Sequence, residues 1–273
     1  MKNVSLLIPK AREIRSSFRR LDSKRHPALL NLSRDEMYDD GEMMAPGGIY
    51  LAQIMAENLR LSSGQTVMDL GCGRGQTSAF LASRYGVNVV SVDLWTSNAE
   101  RMAKAATFGV KALVTPFQGE IRRGLPVELG NFDAIFCMQS FHSFGTGAGI
   151  LSYLGSLLRT GGRICIAQTC FDTEVENLPG VFVETDGWNA EYGKYHSPDW
   201  WRAFFESNGT FEVDLCREIL DGDVFWEDEV LYRGNRCGWT SEYVQKSAWL
   251  TRQLIWGKSN SPSLTHFILV ATK

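Results

Sequence analysis

The stretch Val67-Met68-Asp69-Leu70-Gly71-Cys72-Gly73-Arg74-Gly75 constrains this chain most, because a β-rich run enters a turn with glycine at alternate positions and a helix-length segment leaves it. Glycine admits left-handed backbone and removes the Cβ that would hold a ligand away from the main chain. A helix opening directly after such a turn offers unpaired N–H groups and the positive end of its dipole. Asp93 closes the next β-like run, 18 residues beyond Gly75, where a carboxylate can accept hydrogen bonds from both hydroxyls of a ribose. Strand, glycine turn, helix, strand and acid together point to an adenosine-containing ligand. Two such ligands come into question, NAD and S-adenosylmethionine. Gly71, Gly73 and Gly75 form G-x-G-x-G, whereas the dinucleotide fingerprint needs glycine at position 76, which is Gln76. Asp69, two residues before the first glycine, suits a ligand with an ammonium group near the turn, as the methionyl part of S-adenosylmethionine has and NAD lacks.

Around this turn the chain alternates short apolar runs with amphipathic ones. Thr66–Leu70, Val87–Asp93, Ala112–Pro116, Phe132–Met138 and Arg163–Gln168 read as buried strands, and Gln76–Arg84, Ser97–Ala106 and Gly149–Leu158 as helices between them. A further helix, Ile49–Leu61, follows the turn Pro46-Gly47-Gly48, and later come a helix at Pro198–Ser207 and strands at Phe211–Ile219 and His266–Thr272. Repeated strand-helix-strand units predict an α/β fold with a Rossmann-like, doubly wound, mostly parallel sheet of seven strands and a ligand at the carboxyl ends of the strands. The expected organisation is a single domain over 1–273, with a helical lid or arm at 1–45, a ligand-binding core at 46–168, and cap segments at 169–197 and 221–262. The second cap segment, Asp221–Pro262, is Trp-rich and shows no clear period, so it reads as irregular.

The motif acid-x-G-x-G-x-G at Asp69–Gly75 resembles the first motif of class I S-adenosylmethionine-dependent methyltransferases. Phe132–His142 resembles the fourth motif of that family, and Leu158–Arg163 the turn before its fifth strand. The likeness spans roughly Pro46 to Gln168. It implies S-adenosyl-L-methionine as cofactor and methyl transfer to a small-molecule acceptor, on nitrogen or oxygen. By resemblance Asp69, Gly71 and Gly73 hold the methionyl part and Asp93 the ribose. Leu94, with Trp95 beside it, packs on adenine, Glu120 meets the adenine amino group where the family usually has Asp, and Met138 ends the strand of the fourth motif at the cofactor. Pro46-Gly47-Gly48 is similar to the opening helix of phosphoethanolamine and sarcosine-type N-methyltransferases, which puts Gly48 against the cofactor carboxylate. Three other readings stand beside this one: a cofactor-binding protein without turnover, a lipid-modifying relative of the cyclopropane fatty acid synthases, and a nicotinamide-dependent oxidoreductase.

A sulfonium methyl group is already electrophilic, so transfer needs a positioned nucleophile shielded from water, and neither a metal nor a covalent enzyme intermediate. A base is needed only for an acceptor that carries its proton at working pH. His142, just after the fourth strand, is the first candidate, and His196, in Tyr195-His196-Ser197, the second. The net charge of -3 gives no electrostatic reason to expect nucleic acid, although the first 25 residues are basic. The 6 cysteines form no CxxC pair or metal spacing, which fits reduced, intracellular thiols. No run approaches the length of a membrane span and no leader pattern opens the chain, so a cytoplasmic protein without integral membrane association is expected.

Overall fold

The computed structural model describes residues 17–39, 42, 43, 45–126, 129–177, 194–241, 244, 245, 247, 248, 251 and 262–273. Its centre is a seven-stranded sheet in the order β3-β2-β1-β4-β5-β7-β6. The strands are β1 (Thr66–Leu70), β2 (Asn88–Asp93), β3 (Val114–Gln118), β4 (Phe132–Met138), β5 (Leu158–Phe171), β6 (Glu212–Glu218) and β7 (Leu264–Thr272). Pairs from β3 through β5 are parallel, while β7 runs antiparallel to both β5 and β6. Chain order reverses between β1 and β4, so this sheet opens a crevice above the carboxyl ends of those two strands.

Both faces of the sheet are covered, which is why its strands are near-continuous apolar runs. On one face α1 (Gly48–Leu59), α2 (Gln76–Tyr85) and α3 (Asn98–Thr107) pack Leu51, Met55, Leu81 and Ala105 against Val67, Val89 and Phe136. On the other, α4 (Ala148–Leu157) and α5 (Pro198–Ser207) bring Leu151, Leu154, Trp201 and Phe205 onto Met68, Val90, Ile135 and Phe267. Consecutive residues Val67 and Met68 thus face opposite layers, as the two-residue period of a strand requires. Among the described residues no helix is long and apolar enough to cross a membrane.

Three expectations are corrected here. The third strand begins two residues later than Ala112, because Lys111–Leu113 forms a 3₁₀ turn; Pro116 is tolerated within it because β3 is an edge strand. The cap expected from Thr169 starts later, since β5 runs on to Phe171 and pairs with β7 along its length. Within the segment read as irregular lies α6 (Val224–Cys237), a helix of 14 residues. Its period was concealed because it buries Glu227, Asp228 and Glu229, three consecutive acids, along with Phe225 and Val230.

Those acids are matched by the N-terminal segment. Arg19 binds Asp223 and Glu227, while Asp228 takes Arg34, the Tyr38 hydroxyl at 2.7 Å and the Leu21 N–H at 3.1 Å. Glu229 pairs with Arg233 one turn on, at 2.7 Å. Burial raises the pKa of Asp228 and Glu229, opposed chiefly by Arg34 and Arg233 respectively. The described part of the arm is therefore bound to α6 by charge, and Met43, Ala45 and Pro46 at its end reach the crevice.

Tyr38→Phe keeps the ring stacked on Tyr232 and removes one donor to the buried Asp228 carboxylate. The expected loss is about 1–2 kcal/mol of unfolding free energy, read from the denaturant midpoint; an unchanged midpoint contradicts the role assigned to this bond.

Candidate functional site

The glycine turn is shaped by what it must avoid. A Cβ on Gly71 would stand 2.3 Å from the Ser140 Oγ, and that hydroxyl donates to the Leu70 carbonyl at 3.0 Å. The turn can therefore lie against the start of the β4 loop only because position 71 has no side chain. Gly73 differs: its φ of +53° favours glycine, yet a Cβ there would meet nothing within 4 Å, so its open side faces free space at the cavity it lines.

Asp93 at the end of β2 fixes the turn in place. Its Oδ2 accepts from the Gly73 N–H at 2.9 Å, and its Oδ1 from the Trp95 and Thr96 N–H groups at 2.9 and 3.0 Å. Counting two lone pairs per carboxylate oxygen, Oδ1 is filled and Oδ2 keeps one place for a further donor. Beyond it, Leu94 and Trp95 are 44% and 80% exposed, apolar surfaces left open at the cavity edge.

The crevice encloses about 520 Å³ and is lined by Gly71, Gly73, Asp93, Leu94, Glu120, Met138 and His142, all expected from sequence. Glu120 is already engaged: it caps the Ile121–Arg123 turn and holds Arg122 through two side-chain bonds of 2.8 and 2.9 Å. Those hydrogen bonds pull its pKa down to about 2. Its carboxylate is thus a charged, arginine-bound acceptor at the rim.

Asp69 and Gly48 stand behind the wall and are not among the residues that line it. Asp69 is buried, and its Oδ2 accepts from the Thr77 and Ser78 hydroxyls at 2.6 Å each. Burial pushes its pKa up to about 6 in spite of these bonds. The carboxylate thereby clamps the first turn of α2 onto β1. Gly48 faces the arm, since a Cβ on it would lie 2.1 Å from the Met37 carbonyl oxygen.

His142 does lie in the wall, edge-on to Tyr195 with ring centroids 5.1 Å apart. Burial lowers its pKa to about 4, so the imidazole is neutral at physiological pH, and its Nδ1 has no partner. His196 is corrected: it stacks on Trp200 at 3.7 Å and bonds Glu174 at 2.8 Å, outside the cavity lining. Much of the expected 169–197 cap, residues 178–193, lies outside the described residues.

The sequence reading missed Gln139 and Thr96, while Trp226 lines the cavity from within the 221–262 segment expected to cap it. Gln139 adopts φ +54°, in the left-handed region that non-glycine residues seldom occupy, and no sequence signal marks it. What was concealed at Trp226 is the helix that carries it, α6.

Residues 67–162 match the model of a family described as a methyltransferase domain. An O-methyltransferase of Aspergillus sclerotiorum is 27% identical over 119 residues, covering 44% of this chain and 45% of that one. A chloroplastic tocopherol O-methyltransferase of Arabidopsis thaliana is 32% identical over 104 residues, covering 38% and 30%. A phosphoethanolamine N-methyltransferase of Zea mays is 27% identical over 151 residues, covering 55% and 29%. In each case less than half of the relative's length is spanned. Among solved structures, a putative sarcosine dimethylglycine methyltransferase from Galdieria sulphuraria superposes with a TM-score of 0.64 at 16% identity, covering 83% and 86%. A geranyl diphosphate C-methyltransferase from Streptomyces coelicolor, in complex with S-adenosyl-L-homocysteine, gives 0.62 at 18%, covering 83% and 79%. These likenesses establish the fold.

Two measurements follow from the turn and the imidazole. Gly71→Ala is expected to cost roughly 2–5 kcal/mol, overpacking added to left-handed strain, and Gly73→Ala only about 1–2, the strain alone; equal losses on chemical denaturation would contradict the packing at Ser140. An NMR titration of His142 should show the neutral ring throughout the neutral range, protonating near pH 4 because burial disfavours the charged imidazole; protonation near the ordinary histidine value would remove it from the buried wall.

Proposed function

We propose, from the match of residues 67–162 to the model of a methyltransferase domain, that the chain transfers a methyl group from S-adenosyl-L-methionine to a small-molecule acceptor. The observation that carries this is the coincidence of an open Gly73, a spare acceptor place on Asp93 and exposed apolar surfaces at Leu94 and Trp95, all in one crevice at the β1/β4 switch point.

The residues present fit the cofactor. Gly71 and Gly73 would take its methionyl part along bare backbone, Asp93 a ribose hydroxyl through Oδ2, and Leu94 with Trp95 the adenine face. Glu120 and Met138 complete the wall at either end, while Asp69 and Gly48 keep the turn and α1 in position from behind. Bound there, the cofactor supplies an electrophilic methyl on a positively charged sulfur. The chain's own work is alignment and exclusion of water, worth on the order of 7–11 kcal/mol for well-oriented reactants. Because His142 is neutral at pH 7, it is available as a proton acceptor for an acceptor substrate that still carries its proton, though burial keeps it a weak base. The arm at 1–45 and the segments 169–197 and 221–262 form the acceptor side in this reading, within one domain acting in the cytoplasm. The O- and N-methyltransferases among the relatives support both acceptor atoms.

Calorimetric titration with S-adenosylhomocysteine tests the cofactor assignment. Asp93→Asn keeps the shape and one acceptor oxygen but loses the charge, so affinity should fall about 10- to 100-fold, the scale of hydrogen bonds to a charged group. Unchanged affinity in a folded variant would locate the cofactor elsewhere. Transfer of radiolabelled methyl to a metabolite extract tests turnover; intact cofactor binding with no labelled product at any condition would favour a binding protein.

A further inference from the structure

The crevice wall also holds two hydrogen-bond donors that have no partner in the protein. Gln139 and Trp226 both line the cavity, and Gln139 Nε2 and Trp226 Nε1 are sealed from water without a partner. The orientation of the Gln139 amide is not a free choice. Its Oε1 faces the Thr169 N–H at 3.0 Å, a group that can only donate, so the amide oxygen must be on that side and the NH₂ on the other. The same logic applies one position behind the wall, where Gln168 Oε1 accepts from the His142 N–H at 3.1 Å and leaves Gln168 Nε2 unpaired.

A chain of contacts ties the two lining donors together. Thr169 Oγ1 lies 3.2 Å from Gln139 Oε1 and 3.3 Å from His266 Nε2, and the His266 ring stands 6.2 Å from the Trp226 ring between centroids. His266 is neutral, because burial lowers its pKa to about 4, and its Nδ1 donates to the Gly222 carbonyl at 2.6 Å. Nε2 is then an acceptor, and the one Thr169 hydroxyl proton is shared between it and Gln139 Oε1. None of these groups accepts from Gln139 Nε2 or Trp226 Nε1.

An unpaired buried donor costs about 1–3 kcal/mol, and such groups in a folded protein call for an explanation. Here two of them share one wall with a residue held at φ +54°. Among the described residues lining the cavity, the carboxylates are Asp93 and Glu120. Both already receive donors within the protein. A cationic amine beside either unpaired group would meet an N–H donor where it needs an acceptor. An oxygen anion there would supply the acceptor that each lacks.

Resting on the methyl-transfer reading above, we propose that Gln139 and Trp226 form a donor pair that recognises the acceptor through an oxyanion, making the acceptor a phenolate or carboxylate and not an amine. In such a transfer the oxygen contributes the electron pair of the new O–CH₃ bond, the S–CH₃ pair stays on sulfur, and no proton has to leave the site because the acceptor enters as the anion.

The test uses two substitutions that alter the donors alone. Trp226→Phe removes the N–H and keeps a ring. Gln139→Glu keeps an oxygen for the Thr169 N–H and replaces the NH₂ by a charged oxygen. The probes are 4-nitrophenolate, benzoate and benzylamine, titrated into protein saturated with S-adenosylhomocysteine, and each variant's affinity for S-adenosylhomocysteine is measured alongside. The expected result is binding of 4-nitrophenolate or benzoate to the wild-type complex, weakened roughly 10-fold or more in each variant, with cofactor affinity changed less than about twofold. Which of the two anions binds distinguishes a phenol-type from a carboxyl-type acceptor. Preference for benzylamine, binding of neither anion, or unchanged anion binding in the variants would overturn the inference while leaving the cofactor site intact. Parallel loss of cofactor affinity would assign the donors to the methionyl carboxylate and overturn it too. If the wild-type protein fails to bind S-adenosylhomocysteine, the methyl-transfer reading itself falls, and this inference with it. Should Gln139→Glu fail to fold, Trp226→Phe decides alone.

Discussion

The carboxylate of Asp93 is the tie on which the site depends. It gathers N–H groups from Gly73, Trp95 and Thr96, joining the turn after β1 to the turn after β2. Two loops from adjacent strands thereby become one rigid ledge. Thr96 strengthens the join from the other direction, its hydroxyl donating to the Gly73 carbonyl at 2.5 Å. Loops are usually the mobile part of a fold; here the backbone that must meet a ligand is held by side chains at both ends, which is the preorganisation that a binding ledge requires. Asp69 contributes from beneath, fastening α2 to the strand that feeds the turn.

A second constraint acts across the sequence. Two of the buried acids of α6, Glu227 and Asp228, are matched by basic residues and a tyrosine some 190 to 208 positions earlier, while Glu229 is matched by Arg233 within the helix. Removing such charges from water is costly unless each finds a partner, so arm and helix are placed together or not at all. The arm is further joined to the core through Glu42 with Arg74 and Asp39 with Lys104. One of those cations, Arg74, sits inside the glycine turn, so the arm touches the ledge itself.

How much of this was readable beforehand depends on whether the physics is local. Glycine turn, strand alternation and the acid at position 93 are local patterns, and strands β1, β2 and β4 follow from them with little error. His142 was also placed correctly at the cavity, because a residue just past a parallel strand can hardly fall elsewhere. Glu120 was found by position, but its capture by Arg122 was not foreseen, since a bond two residues away depends on the turn between. Asp69 was matched to a ligand, whereas the neighbouring hydroxyls of Thr77 and Ser78 claim it once α2 folds back. His196 is held by a stacking partner at Trp200 and a carboxylate at Glu174, outside the described cavity lining. The α6 helix escaped notice because its inward face is acidic, and only a distant basic segment makes that face buriable.

Trp226 precedes Glu227 on α6, so a side chain in the crevice wall and the first of the acids that hold the arm are neighbours on the same rigid rod. Substitutions among the first forty residues that shift the seat of this helix would move the indole with it, leaving the ledge at Asp93 untouched. The arm thus bears on one wall of the crevice through α6, and the half built on the glycine turn is spared. Covariation is the consequence: a change in the arm calls for a matching change among the acids of α6, and the two together reset one side of the crevice while the strand-and-glycine half stays as it is.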